Sequence, residues 1–281
     1  MKRYTQVVGE LLANQRQFQQ IVFAGDKQTP PSFSYQVNFP RIEWVLEGTY
    51  HCEIDGQAGL SQHLKLLRDD ALYIPPNCWN KPDWQQDCEV LSILFGRRQL
   101  GISLIAYSQE QGEFSHIEKH STPARTGHAI DNMLGAMNGL ASETQQAPMA
   151  SYQLSALISY VRSMQVVPEP TLESRSSNLY QSMCIFIQEN YQQPISRESI
   201  AAQFHITPSH VSRLFRQHGY MRLADYITWV RIDRAKFMLK KYALRLEEVA
   251  LRCGFQDPNY FYRVFKKKTG MTPSQYRGTR A

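Results

Sequence analysis

The stretch EEVALRCGFQDPNYFYRVFKKKTG, residues Glu247–Gly270, combines a dense apolar pattern with a run of lysines near its end. Asp257 and Pro258 open a segment that Gly270 closes. An N-cap residue, a proline at the first helical position and a C-terminal glycine are the usual marks of a helix that begins and ends there. Helical spacing places one apolar set on a single face, namely Phe261, Val264 and Phe265. The predicted helix is therefore apolar on one side and cationic on the other.

A second stretch, ESIAAQFHITPSHVSRLFRQHG (residues Glu198–Gly219), repeats this arrangement. Each stretch predicts a short helix, a tight turn and a second helix, which is the pattern of a helix-turn-helix. The later stretch has one extra residue in its turn, so the offset changes from 49 to 50. The matching positions are Ile200-Ala201 with Val249-Ala250, Thr207-Pro208 with Asp257-Pro258, Arg213 with Arg263, and Phe215 with Phe265.

The polar face of each second helix carries side chains that suit DNA. Arginine can form two hydrogen bonds to guanine and asparagine can do so to adenine, while lysine and tyrosine suit phosphates. We call these helices the first and second reading helices. Their candidate DNA-binding residues are Ser209, Ser212, Arg213 and Arg216 in the first, and Asn259, Tyr260, Tyr262, Arg263, Lys266 and Lys267 in the second. An amphipathic helix with a solvated basic side would explain one copy, but two copies with matching caps and arginines favour DNA binding.

Residues 223–240, between the two units, contain no Gly or Pro and predict a continuous helix. Its 18 residues would span roughly 27 Å. Consecutive major grooves on one face of DNA lie about 34 Å apart. One chain is therefore expected to place both reading helices in successive major grooves of double-stranded DNA.

Charge is unevenly distributed along the 281 residues. Residues 171–281 contain 18 Lys and Arg against 8 Asp and Glu, whereas residues 1–170 contain 13 against 17. A basic C-terminal part suggests that only this part meets a polyanion. Five scattered cysteines without a C-x-x-C pair indicate buried free thiols in a reducing compartment. No signal peptide or membrane span is expected, so the predicted location is the cytoplasm.

The segment VPEPTLESRSS predicts a linker over residues 167–177, which separates domains 1–166 and 178–281. Residues 33–96 alternate in character and predict strands, with CEVLSILF as a strand buried on both faces. Two helices are expected to follow. Each carries an apolar stripe that either covers a core or forms a homodimer interface, through residues 128–140 and 151–164.

With these motifs, residues 178–278 resemble the AraC family of bacterial transcription regulators. The family resemblance is carried by EEVALRCGFQDPNYFYRVFKKKTGMTPSQYR. It implies an α+β chain of two domains: an N-terminal cupin-like β-barrel with two helices that senses an effector or dimerises, and an all-α domain with two helix-turn-helix units. It also implies an activator that recruits RNA polymerase. The first unit departs from the family pattern at His205, where glycine is usual.

The N-terminal resemblance is carried by VLEGTYHCEIDG and RDDALYIPPNCWN, where Asp69 replaces an expected glycine and Asn80 an expected histidine. No H-x-H pair is present, so no metal, cofactor or catalytic residue is predicted. His51 and His63 are isolated, and His116 and His120 lack a third ligand. Four residues are candidates either for an effector pocket or for the barrel core: Arg41, Trp44, Tyr50 and Trp79.

The predicted function is a sequence-specific DNA-binding transcription regulator, an activator controlled by a small molecule bound in the N-terminal barrel. An alternative is a regulator without an effector, whose barrel only dimerises or binds a protein. A metal-dependent cupin enzyme is a further alternative, and the missing ligand cluster argues against it.

Overall fold

The computed structural model of the chain describes residues 18–32, 34–56, 60–96, 99–123, 128–141, 147–165 and 172–279. Contacts divide the chain into two compact units, Met1–Thr171 and Leu172–Ala281. Ten strands and two helices of the N-terminal unit, Met1–Thr171, fall within the described residues. They are β1 (Ile21–Phe23), β2 (Tyr35–Gln36), β3 (Arg41–Gly48), β4 (Tyr50–Asp55), β5 (Ser61–Leu66), β6 (Ala71–Ile74), β7 (Trp79–Asp83), β8 (Cys88–Phe95), β9 (Gln99–Ser108), β10 (Glu113–Pro123), α1 (His128–Leu140) and α2 (Ala147–Gln165).

The strands form two sheets. One has the order β1-β6-β3-β8-β9-β10 and the other β2-β7-β4-β5. All pairs are antiparallel except β1 with β6. A core cluster lies between the two sheets and draws Val45, Leu72 and Val90 from the first sheet and Tyr50 and Ile54 from the second. β8 is buried along its whole length, which confirms the prediction for CEVLSILF.

Over the residues that the structure describes, the sheets do not close into the ring expected of a cupin-like barrel. Among the described residues, β1 and β10 are the edges of the six-stranded sheet, and β2 and β5 are the edges of the four-stranded sheet. The coarser prediction, an α+β chain with a sheet-rich N-terminal unit and a helical C-terminal unit, is confirmed.

The strands also extend beyond the predicted range of 33–96. β1 precedes it, and the hairpin of β9 and β10 follows it. The described side chains of β10 are mostly exposed, including Phe114 and Ile117 at 43% and 49%. Because an edge strand with few buried side chains lacks clear alternation, the sequence pattern did not reveal this hairpin.

The two helices after the strands pack on the outer face of the six-stranded sheet. Their apolar stripes belong to the same core cluster as the sheet residues, and they include Ile130, Met137, Leu154, Leu157, Ile158 and Val161. Within this chain the stripes therefore cover a core, which was the first of the two interpretations. A homodimer through these helices would have to use other faces of them.

The regular elements among the described residues of the C-terminal unit, Leu172–Ala281, are all helices. They are α3 (Leu172–Asn190), α4 (Arg197–Gln203), α5 (Pro208–Gly219), α6 (Leu223–Lys241), α7 (Leu246–Arg252), α8 (Pro258–Thr269) and α9 (Pro273–Gly278). α3 begins at Leu172, so residues 172–177 of the segment predicted as a linker are helical. Residues 166–171 lie outside the described residues. None of the described helices combines the length and hydropathy that a membrane span requires.

Candidate nucleic-acid interface

The predicted helix-turn-helix units are both present. α4 and α5 form the first unit, and α7 and α8 form the second. α5 and α8 are the two reading helices, and each has 12 residues. α6 joins the units as one unbroken helix of 19 residues, as the lack of Gly and Pro predicts.

The two turns have the same backbone hydrogen bonds at an offset of 49 residues. In the first unit, the amide of His205 donates to the carbonyl of Ala202 (3.2 Å), as the amide of Gly254 does to that of Leu251 (2.9 Å) in the second. His205 has a φ of 52° and Gly254 a φ of 81°. Both lie in the left-handed region, which glycine adopts without strain and other residues adopt at a cost. His205 therefore adopts the same turn conformation as Gly254.

Each reading helix begins at the predicted cap. The amide of His210 donates to the hydroxyl of Thr207 (3.2 Å), and the amide of Asn259 donates to the carboxylate of Asp257 (2.8 Å). A proline stands at the first helical position in both. These caps satisfy main-chain donors that the helix itself leaves unbonded. The start of both reading helices is thus determined by short-range sequence.

The apolar face of each reading helix is anchored in a separate core cluster. Val211, Leu214 and Phe215 are buried with residues of α3, α4 and the first half of α6. Phe261 and Phe265 are buried with residues of α7 and the second half of α6. The anchored faces are those that helical spacing predicts.

The opposite face of each reading helix is open to solvent. The candidate residues of the first helix are all exposed except Ser212, which is half-buried. Those of the second are all exposed, and the two tyrosines, Tyr260 and Tyr262, are 49% and 41% exposed. The structure therefore groups the ten candidates into two surfaces of like chemistry, one on each unit. Arginine, asparagine, tyrosine and lysine side chains on a helix surface can bond base edges and phosphates.

The repeat includes a third helix in each unit, which the sequence comparison missed. The ring of Tyr226 at the start of α6 lies 5.6 Å from that of Phe215, and the ring of Tyr276 in α9 lies 5.5 Å from that of Phe265. The two tyrosines are fifty residues apart, as are the phenylalanines. Extending the comparison past Gly270 would have found them. Each reading helix is therefore packed between a helix before it and a helix after it.

The four effector candidates are all buried, but they do not lie together. Arg41 and Tyr50 face the space between the sheets: the Arg41 guanidinium donates to the side-chain oxygen of Asn80 (2.7 Å), which reaches across from β7. Trp44 lies on the other face of β3, in the cluster under α1 and α2. Trp79 directly precedes Asn80 on β7 and therefore lies on the opposite face of that strand. Its indole donates to the carbonyl of Gln28 at 3.3 Å.

Further polar groups surround Arg41. The guanidinium lies 3.7 Å from the carboxylate of Glu43, which also accepts a hydrogen bond from Ser92 at 3.1 Å. Burial, and next the charge of Glu43, raise the pKa of Tyr50 well above its ordinary value. Among the described residues, Arg41 Nε and Asn80 Nδ2 are buried without a hydrogen-bond partner. Within the described residues, no group of three or more His, Cys, Asp or Glu is placed to hold a metal ion.

Comparison with known proteins agrees with this geometry. A family model described as a helix-turn-helix domain matches residues 200–279. The Escherichia coli K12 protein YijO, an uncharacterized HTH-type transcriptional regulator, is 35% identical over 272 residues, which cover 96% of this chain and 92% of that relative.

Two further matches are shorter. The HTH-type transcriptional activator RhaR of Cronobacter sakazakii is 36% identical over 84 residues, 30% of each chain. The C-terminal domain of AraT, a response regulator from Geobacillus stearothermophilus, is 31% identical with a TM-score of 0.37, and the match covers 38% of this chain and 89% of that domain. On its helix-turn-helix geometry and its full-length relative, this chain belongs to the AraC-type family of helix-turn-helix DNA-binding transcription regulators.

Proposed function

We propose that this regulator is a transcription activator whose two reading helices, α5 and α8, enter successive major grooves of its operator. The observation that carries the proposal is the equivalence of the two units. Their turns share one hydrogen-bond pattern, and each unit exposes a polar, cationic helix face. The length of α6 supports the same geometry, because its 19 residues span about 28 Å, close to the distance between grooves.

Within this proposal, Arg213 and Arg263 are the principal base-reading residues. They occupy equivalent positions, two turns or less from the caps at Thr207 and Asp257, and both are exposed. The N-terminal part of a recognition helix is the part that contacts base edges. Lys266 and Lys267, near the end of α8, are assigned to phosphates.

Activation through RNA polymerase is part of the proposal. It is supported by the similarity to RhaR, a transcriptional activator that is 36% identical to this chain over 84 residues.

Control by a small molecule is proposed for the space between the two sheets of the N-terminal unit. In the part of the chain that the structure describes, Arg41 Nε and Asn80 Nδ2 are buried donors without a hydrogen-bond partner, and Tyr50 lies in the core cluster between the sheets. Buried donors favour a ligand with acceptor oxygens, such as a carboxylate or a sugar hydroxyl. In the alternative, the N-terminal unit only dimerises or binds a protein, and these groups serve folding alone.

The proposal is tested by selecting operators from a random duplex library with the purified full-length chain. We expect two short conserved blocks whose centres lie about one helical turn apart. Arg213→Ala should relax one block and Arg263→Ala the other, each at about one base pair and with about 1–3 kcal/mol lost on the selected site. If both variants relaxed the same positions, or lost affinity equally on random DNA, the assignment of one helix to each groove would be wrong.

A further inference from the structure

The two helix-turn-helix units share α6. Its first half, with Tyr226 and Val230, lies in the core cluster of the first unit, and its second half, with Ile232 and Ala235, lies in that of the second. Arg231 stands between these halves. A side chain at this point can contact both helix-turn-helix units and can therefore hold them in place relative to each other.

Arg231 donates hydrogen bonds to the segment that leads into the first helix-turn-helix unit. Its Nε donates to the carbonyl of Tyr191 (2.9 Å) and its Nη2 donates to the carbonyl of Gln193 (2.9 Å). Tyr191 and Gln193 lie between the end of α3 and the start of α4. The planar guanidinium thus uses two donors on two carbonyls at once, which a lysine ammonium on a flexible stem cannot do with the same geometry.

The same guanidinium also contacts the turn of the second unit. Its central carbon lies 5.8 Å from the centre of the Phe255 ring, a distance at which cation and aromatic face attract each other. The neighbouring Gly254 packs tightly against the same groups. A Cβ added at this position would be 2.4 Å from the carbonyl oxygen of Tyr191 and 3.0 Å from Arg231 Nε. The turn that precedes the second reading helix therefore rests directly on Tyr191 and Arg231.

We propose that Arg231 is a positioning residue for DNA recognition, which holds the second reading helix at a set orientation to the first and thereby sets the base-pair spacing that the protein accepts. Arg231 acts without touching a base. The inference rests on the proposed reading of two successive grooves. In B-form DNA, one added base pair moves a half-site by about 3.4 Å and rotates it by about 34–36°. A rigid junction rejects such a change, and a loosened junction tolerates it.

The experiment measures the affinity of the full-length chain for its selected operator and for two variants of it, with one base pair inserted or deleted between the two blocks. We expect the wild-type chain to prefer the original spacing by on the order of tenfold. Arg231→Ala should reduce that preference to about twofold, with weaker binding to the original operator and unchanged base preference within each block. Arg231→Lys should be intermediate, because it restores the charge and one donor.

Arg277→Ala is the matched control. The Arg277 guanidinium also donates to a main-chain carbonyl, that of Leu244 at 2.6 Å, but both residues belong to the second unit. We expect this variant to keep the wild-type spacing preference even where it lowers the thermal midpoint. Thermal midpoints of all variants separate loss of folding from loss of spacing preference.

The outcomes separate the positioning role of Arg231 from the reading of two successive grooves. If Arg231→Ala keeps the wild-type preference for the original spacing, the positioning role of Arg231 is wrong while two-groove reading stands. A wild-type chain that binds all three spacings equally would overturn two-groove reading itself. Loss of preference in both Arg231→Ala and Arg277→Ala would assign the effect to general loosening of the second unit and would also reject the specific role.

Discussion

The ammonium nitrogen of Lys268 lies 3.8 Å from the carboxylate of Asp225. This ion pair joins the C-terminal end of the second reading helix to the first turn of α6. The three successive lysines of α8 are therefore not equivalent, because one of them has a carboxylate at close range. Both side chains of the pair are about half exposed, so its contribution to stability is small.

We expect Lys267→Ala to reduce the salt dependence of DNA binding more than Lys268→Ala does. A lysine that neutralises one phosphate contributes about 0.9 to the slope of log K against log salt. Lys268 should contribute less than this, because Asp225 already neutralises part of its charge. The measurement is affinity for the selected operator and for random duplex between roughly 50 and 200 mM salt. Equal slopes for the two variants would mean that the ion pair does not persist on DNA.

The equivalent turn positions should respond differently to substitution. Gly254→Ala puts a Cβ 2.4 Å from the carbonyl of Tyr191 at a φ of 81°, and we expect a loss of at least about 2 kcal/mol in the free energy of unfolding. His205→Gly removes a left-handed non-glycine residue, and we expect a change near zero or a gain of about 0.5 kcal/mol. Denaturant unfolding of both variants checks this. Destabilisation of similar size at both positions would contradict the close contact at Gly254.

Removing the buried cation of the N-terminal unit should be costly. Arg41→Met leaves the buried carboxylate of Glu43 without the guanidinium 3.7 Å away, and we expect a loss of about 3–5 kcal/mol. Arg68→Met is the control, because the Arg68–Asp69 pair is more exposed, at 58% and 20%, and it should cost less than about 1 kcal/mol. Urea unfolding measures both. Partial recovery in the double variant Arg41→Met with Glu43→Gln would assign the loss to the uncompensated carboxylate.

Alkaline pH should destabilise the fold. All five cysteines are free and buried, as predicted, and burial raises the pKa of Cys88 and Cys184 to about 11 and that of Cys253 to about 12. These thiols remain protonated in the native chain while they ionise near pH 9 in the unfolded chain. The stability that they contribute is thus complete below about pH 9 and decreases above it, by about 1.4 kcal/mol per pH unit for each thiol.

The thermal midpoint measured from pH 7 to 11 checks the alkaline prediction, with Cys253→Ala as the variant that should show a smaller decrease above pH 9. The same burial should make the native thiols slow to react with iodoacetamide at pH 8, because the thiolate is the reactive form. Rapid alkylation of the folded chain at any of the three positions would contradict the burial assigned to it.

Much of the C-terminal unit was predictable from local residues. Thr207 and Asp257 begin the reading helices, and the apolar spacing of Phe261 and Phe265 predicts the anchored face, because caps and helical periodicity depend on residues within one or two turns. The N-terminal unit was less predictable. The hairpin of β9 and β10 has no strong alternation of apolar and polar residues. Trp44 and Tyr50 are both aromatic residues of predicted strands, yet Trp44 is buried under the helices and Tyr50 is buried between the sheets.

The sequence alone therefore determined that this chain has two helix-turn-helix units with cationic reading faces, since each unit is specified by short-range spacing and capping. Only the tertiary structure decided how the units are joined. The contacts of Arg231 with Tyr191 and Phe255, and of Lys268 with Asp225, connect residues between 24 and 43 positions apart. Such contacts depend on how α6 packs in both clusters, and no local pattern of residues encodes that packing.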